Sequence, residues 1–303
     1  ACSKSKVEGH KQELPVAPES SALPSPPDVS DPGEGAPPRE ASHQARPLPD
    51  GGGWEVSHRW TARTPQGPRG AHVRAVLDAD SVASERAGFG VPRAEQDVAY
   101  TDDAELKRII AAREERFLAR GIEQRIEGDE LQLRVAYASV VRAYSPRLGS
   151  LRRALDEGAD ALGVQGARGR LDWYASFVQS FSWDDPLRYS SGPNGEELLT
   201  CGARPPLATV LKGSGDCDSL SMLFSALAMG VPETEQVFLA GQVGEEQHLL
   251  VGVRTPTKIG DLYVDHDGER FVLFELTSDA IDQPISKGAR ELLEGAEFEV
   301  ISL

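Results

Sequence analysis

Cysteine is scarce in this chain of 303 residues: Cys2, Cys201 and Cys217 are all it has. Three thiols build no disulfide framework, and no CxxC pair marks a zinc site or a redox dithiol. Histidine is nearly as rare, six in all, and only His248 and His266 lie beyond residue 72. Positive charge is short as well, with 32 Lys and Arg against 48 Asp and Glu and a formal net charge of −16. That deficit argues against a nucleic-acid partner, which needs clustered cations to neutralise phosphates. It argues equally against a helix lying on anionic lipid. Acidity of this kind serves solubility. No apolar run reaches the length of a membrane span. An initiating Met and a signal segment are missing too, as expected of a processed or trimmed chain.

Proline is present in quantity but in one place. Ten of the 21 prolines fall between Pro15 and Pro49, among Ser, Ala, Glu and Gly. Such a stretch has too few apolar groups to offset its ordering entropy, which predicts an extended, disordered tether over residues 1–53. The tether closes at Gly51-Gly52-Gly53, and Trp54 is expected to open the ordered part. A cysteine at the extreme start followed by a long Pro-rich linker resembles a mature bacterial lipoprotein. The resemblance implies a lipid on Cys2 as the sole membrane contact, with Ala1 left from the cleavage point. It also implies an extracytoplasmic, membrane-anchored location in the periplasm or outer membrane. An ordinary linker with an incidental cysteine is the other reading.

Beyond the tether, WEVSHRW at 54–60 and AHVRAVL at 71–77 alternate apolar and polar residues around the turn-rich TPQGPRG, and read as a hairpin. Apolar residues at helical spacing follow Thr101, a candidate N-cap, and stop at Gly121. ELQLRVAYASVVRAY, LRRALDEGADALGV and LDWYASFVQSF read as three more helices. After residues 219–231 the period changes to two. EQVFLAG, HLLVGVR, DLYVD and RFVLFELT then read as strands, with His266-Asp267-Gly268 as a tight turn. Helices followed by an antiparallel sheet imply an α+β fold. A hairpin and helical region over 54–168 is expected to pack on a core over 169–303.

The residues with chemistry to offer are few. Cys217 follows Asp216, a good N-cap, and opens the apolar run SLSMLFSALAMGV, read as a helix that ends at Gly230 with Pro232 beyond it. Gly213 and Gly215 let the main chain of that approach come close to a substrate. A thiol at a helix start is expected to have a depressed pKa and to act as a nucleophile if an oriented base is near. His248 begins one predicted strand, and Glu275 ends another on the face of Phe271 and Leu273. A carboxylate on an apolar face wants a partner. Each of the three also has a bland reading, as a buried hydrophobe, a satisfied neighbour and a solvated strand end.

Taken together the motifs resemble the transglutaminase-like cysteine peptidases. PLATVLKGSGDCDS is similar to that family's P-x-E-T-L-x-x-G-x-G-D-C-E/D approach, with Pro206, Thr209, Gly213, Gly215, Asp216, Cys217 and Asp218 in register. FVQSFSWDDP, HLLVGV and FELTSDAIDQPI are similar to its other three motifs, and the likeness spans about 170–285. The resemblance implies a papain/transglutaminase-like core with Cys217 as nucleophile, His248 as general base and Glu275 as orienting carboxylate. One oxyanion donor would be the Cys217 main-chain N–H, and a second Gln179 or Trp183. Ala208, where the family has Glu, and Leu249, where it has a small residue, depart from the pattern.

Other uses of these residues compete. Cys201 and Cys217 could pair in an oxidising compartment. Cys217, His248, Asp216 and Asp218 make a poor metal set, because successive helix positions point apart. DHDGE lacks the later ligands of a calcium loop, and KGSGDCDS the Lys-Ser/Thr of a phosphate loop. The function that the resemblance implies is cofactor-free and metal-free acyl transfer through a Cys217 acyl-enzyme, as a cysteine peptidase or amidase on cell-envelope proteins or peptides, with transamidation as a further option. The alternative is a catalytically silent binding or scaffolding module of the cell envelope.

Overall fold

The computed structural model describes residues 41–96, 99–127, 130–243, 246–277 and 298–303. Cys2 and most of the expected tether lie outside the described residues, as does the stretch 278–297. The first element is β1 (Ser42–Pro47), which pairs antiparallel with β2 (Gly53–Thr64), itself paired with β3 (Gly67–Asp78). The expected hairpin is there, with Trp54 opposite Leu77 and Trp60 opposite Ala71. The boundary at residue 53 is corrected. Residues 42–47 are a strand because β2 offers them a full edge of main-chain partners, and composition alone does not reveal that edge.

Helix α1 (Ala79–Gly88) and the short strand β4 (Val91–Pro92) lead to α2 (Asp103–Ala119). Its N-cap is Asp102, one residue past Thr101. The Asp102 carboxylate accepts from Glu105 N, and Glu105 accepts in turn from Thr101 N at 2.8 Å. This reciprocal cap satisfies one orphan N–H of the first turn, that of Glu105, together with the N–H of Thr101 just ahead of the cap. Gly121, at φ +73°, ends it.

The next segment departs from expectation. ELQLRV is not helical but forms β6 (Glu130–Val135), paired with β5 (Ile122–Glu127), and only Tyr137–Tyr144 is the helix, α3. Gly128-Asp129 between the two runs is a hairpin signal in the sequence, and local strand pairing overrides the helical spacing. Then come α4 (Gly149–Ala161), α5 (Gly166–Gln179), β7 (Ser182–Trp183), β8 (Tyr189–Ser191) and β9 (Glu197–Leu199). Strands β8, β9 and β4 form a small sheet.

The last part holds α6 (Pro206–Lys212), β10 (Ser214–Gly215), α7 (Cys217–Ala228), β11 (Gln236–Val243), β12 (Glu246–Val253), β13 (Tyr263–His266), β14 (Glu269–Phe274) and β15 (Phe298–Ser302). Five of these strands make one antiparallel sheet in the order β13-β14-β12-β11-β15. Asp267 (φ +50°) and Gly268 (φ +82°) form the tight turn between β13 and β14. The fold is a mixture of helices and antiparallel sheets, consistent with an α+β class.

Every residue of α7 except Asp218 is buried. A helix apolar on all sides belongs at the centre of its protein. One face of the large sheet, carrying Leu249, Val251, Val253, Val272 and Phe274, joins α7 in a core that also takes in Val56, Trp60, Trp173 and Phe177. The opposite face carries a smaller cluster that includes Leu250, Phe271 and Leu273. Among the described residues no helix is long and apolar enough to cross a membrane.

Candidate active site

The approach to Cys217 is built by α6. Its N-terminal N–H groups have no cap in sequence, since Pro205 supplies none. They are met instead by Glu85 of α1, whose carboxylate accepts from Leu207 N at 3.0 Å and Ala208 N at 2.7 Å. Ala208 thus stands beside a carboxylate brought from far along the chain. Glu85 is 1 % exposed, and that burial pushes its pKa up to about 7 against the pull of the two N–H bonds.

Gly213 ends α6 in the left-handed region at φ +70°, and a side chain there would collide with the His43 ring of β1. Strand β10 then pairs in parallel with β7: Ser182 N donates to Gly213 O and Asp184 N to Gly215 O, both at 3.2 Å. The Asp184 carboxylate fastens the pair by accepting from Arg204 Nη2 at 2.7 Å and Ser214 Oγ at 3.1 Å. Asp216 caps α7 through Ser219 N at 2.9 Å. Cys217 is therefore the first helical residue, as the sequence predicts.

The start of the helix meets the sheet at Leu249. The last β12–β14 partners are Val251 and Phe274, and beyond them the two strands part. There Ser221 Oγ donates to Leu249 O at 3.2 Å, and the Leu249 N–H faces the Cys217 thiol. Position 249, a departure from the family pattern, serves through its main chain while its side chain is buried in the core. Its neighbour His248 lies close enough to the Asp218 carboxyl to lower that group's pKa.

On the other side of the parting, His248 Nε2 and Glu275 Oε2 are 2.7 Å apart. Glu275 stands one residue past β14, and its second oxygen accepts from Thr277 N at 2.7 Å. Burial works to raise the Glu275 carboxyl, but the bonds from His248 and Thr277 outweigh it and hold the group below its usual range. It is a carboxylate at neutral pH, so His248 Nε2 carries the proton of the shared bond.

The thiol corrects one expectation. Burial, followed by the charges of Asp218 and Asp216, pushes Cys217 well above the usual cysteine value; only the Leu249 N–H opposes them among the main causes. A helix start favours a thiolate, but here an aspartate on each side cancels that field. The thiol points its proton at Asp218 Oδ1, 3.6 Å away, and Tyr137 Oη–H donates to the other oxygen at 2.9 Å. Burial and Asp216 push Asp218 itself up to about 6. The sequence contains Asp218 within the motif, but nothing in it ties Tyr137 to that carboxylate.

The two oxyanion candidates separate. Trp183 lies opposite Gly215 in the β7–β10 pair with 61 % of its surface exposed, beside the turn that leads to Cys217. Gln179 is buried and committed elsewhere: its Nε2 donates to the Glu275 carbonyl at 2.5 Å and its Oε1 accepts from Arg63 at 2.6 Å. It serves the Glu275 main chain, so the reading of Gln179 as an oxyanion donor gives way. Cys201 and Cys217 are both free thiols. Cys201 donates to Leu133 O at 3.4 Å, and burial pushes its pKa up to about 12.

No family model, curated protein or solved structure matches the chain.

Proposed function

We propose that the protein is a thiol-dependent acyl-transfer enzyme on a papain/transglutaminase-like core, hydrolysing amide bonds in proteins or peptides. The observation that carries this reading is the 2.7 Å bond between His248 Nε2 and Glu275, made at the place where the first turn of α7 reaches the main chain of Leu249. An imidazole oriented by a buried carboxylate, on the residue beside the one whose N–H meets a helix-start thiol, supports the arrangement that nucleophilic catalysis needs.

With Nε2 held by Glu275, proton exchange with the thiol runs through Nδ1. Because the resting thiol is protonated, His248 acts as a general base during attack and does not hold a preformed thiolate. Cys217 Sγ bonds to the amide carbonyl carbon as its proton passes to His248. The oxyanion is met by the Cys217 N–H, with Trp183 as second donor. His248 returns the proton to the departing amine, and water then releases the acid from the acyl-enzyme. The Cys2 lipid and tether would hold this domain at the outer face of a membrane, where envelope proteins and peptides are the amides at hand.

The silent binding module stays as a second reading, favoured by the raised thiol. Alkylation by chloroacetamide at neutral pH separates the two. The enzyme reading expects Cys217 to react on the order of a hundredfold faster than Cys201, an advantage removed by His248→Ala, since a positioned base contributes that much or more. Equal rates, indifferent to His248→Ala, would establish the silent module. Capture of acyl-enzyme from envelope extract, with Cys217→Ala as control, identifies the substrate.

A further inference from the structure

Glu275 stands at a place where secondary structure has stopped helping. Strand β14 ends at Phe274, so the ladder no longer fixes the main chain of the next residue. Yet the carboxylate must hold one position for the imidazole to keep its orientation. What fixes it comes from outside the large sheet. Gln179, the last residue of α5, donates to the Glu275 carbonyl at 2.5 Å. The same amide accepts from Arg63 Nη1 of β2 at 2.6 Å, which commits its oxygen and turns its nitrogen to Glu275. An amide pinned at both ends has one orientation.

The end of α5 is itself held by the N-terminal sheet. Trp60 Nε1 donates to Ser176 Oγ at 3.3 Å, and the Trp60 indole packs edge-on against Trp173 and Phe177. His58 Nε2 lies 2.7 Å from Ser180 Oγ, which in turn donates to Phe177 O. The Arg63 guanidinium also complements the negative end of α5, where a cation is favoured. Three successive contacts from one strand therefore seat one helix end, and that end seats Glu275.

We infer that Arg63 and Gln179 are positioning residues for Glu275, and that the N-terminal sheet acts as a structural part of the active site. The inference rests on Cys217, His248 and Glu275 being the catalytic set. Arg63 acts on Gln179, Gln179 on the Glu275 main chain, and Glu275 on the imidazole. Neither Arg63 nor Gln179 touches the reacting atoms in this scheme.

The test is titration of the His248 ring by NMR in the full chain carrying labelled histidine, with the signal assigned through His248→Ala. Glu275→Gln, Gln179→Met, Arg63→Met and Arg63→Lys are compared with the wild type. Both Met variants keep an apolar stem and remove the polar end. If the relay holds, Gln179→Met and Arg63→Met move the His248 midpoint downward in the direction of Glu275→Gln. The shift is on the order of tenfold in the proton dissociation constant, the effect of losing a close opposite charge. Arg63→Lys, which keeps a donor and a charge, restores the wild-type midpoint. A purely structural role would lower the melting temperature and leave the midpoint alone. Glu275→Gln shifting His248 while both Met variants stay at the wild-type midpoint overturns the relay. Glu275→Gln leaving His248 unmoved overturns the catalytic set itself.

Discussion

At the residue scale the informative group is Asp218, which shares its carboxylate between the Cys217 thiol and the Tyr137 hydroxyl. Burial and then the Asp218 charge keep the thiol protonated, and under the proposed function that sets how far attack would rely on His248. Asp218→Asn keeps an acceptor for Tyr137 and removes the charge. The expected outcome is a lower thiol pKa and faster alkylation of Cys217 below pH 8, read from the iodoacetamide rate as a function of pH. An unchanged profile would mean that Asp218 does not govern the thiol. That Cys217, His248 and Glu275 deserve attention together is legible in the motifs. That the thiol is raised is not, because the largest cause is burial, which only the fold decides, with the two flanking aspartates adding to it.

Elements show the same division. Helix α7, its cap and its burial follow from Asp216 and the apolar run after Cys217. The strands β11 to β14 follow from period-two patterning. Helix α6 is different: its cap is Glu85, more than a hundred residues away, which no local rule can find. Glu85 carries a pH signature. Its folded-state pKa of about 7 lies above the ordinary 4.5. Between those values the folded chain holds a proton that the unfolded chain has lost, so this group's contribution falls as pH rises from 4.5 to 7. The stability of wild type relative to Glu85→Gln should drop over that window by about 3 kcal/mol, measured by urea unfolding at each pH. A difference flat in pH would show that Glu85 is ionised like an exposed carboxylate. Strand β6 is the opposite case: its partner β5 is its neighbour in the chain and Gly128-Asp129 marks the hairpin, but the helical spacing that runs on into α3 masks it.

For the whole molecule, the N-terminal sheet is bound to the site turn through a histidine pair. His43 Nδ1 and His58 Nδ1 are 3.3 Å apart, and the His43 ring fills the space left by Gly213. Burial, then the nearby His43, lowers the His58 pKa to about 3 from the ordinary 6.5. Here the unfolded chain binds the extra proton. The contribution is complete above pH 6.5 and is lost as pH falls toward 3, by about 5 kcal/mol. Wild type should therefore lose stability relative to His58→Gln on acidification, the opposite slope to Glu85. Urea unfolding between pH 4 and 7 checks the sign, and parallel curves would refute the assignment.

What the chain's residues determined by themselves was local: the helix that Cys217 opens, the strand that His248 joins, the turn at Asp267-Gly268, and the one dense run of prolines. These are set by periods of 3.6 and 2, by caps and by turn chemistry, all readable within a dozen residues. The tertiary structure decided everything that depends on distance through space. It brought Glu275 to His248, gave Glu85 to α6, tied Arg63 through Gln179 to the Glu275 main chain, and added β1 to the domain. Electrostatics and burial act between neighbours in space, and folding makes neighbours of residues that the sequence keeps far apart.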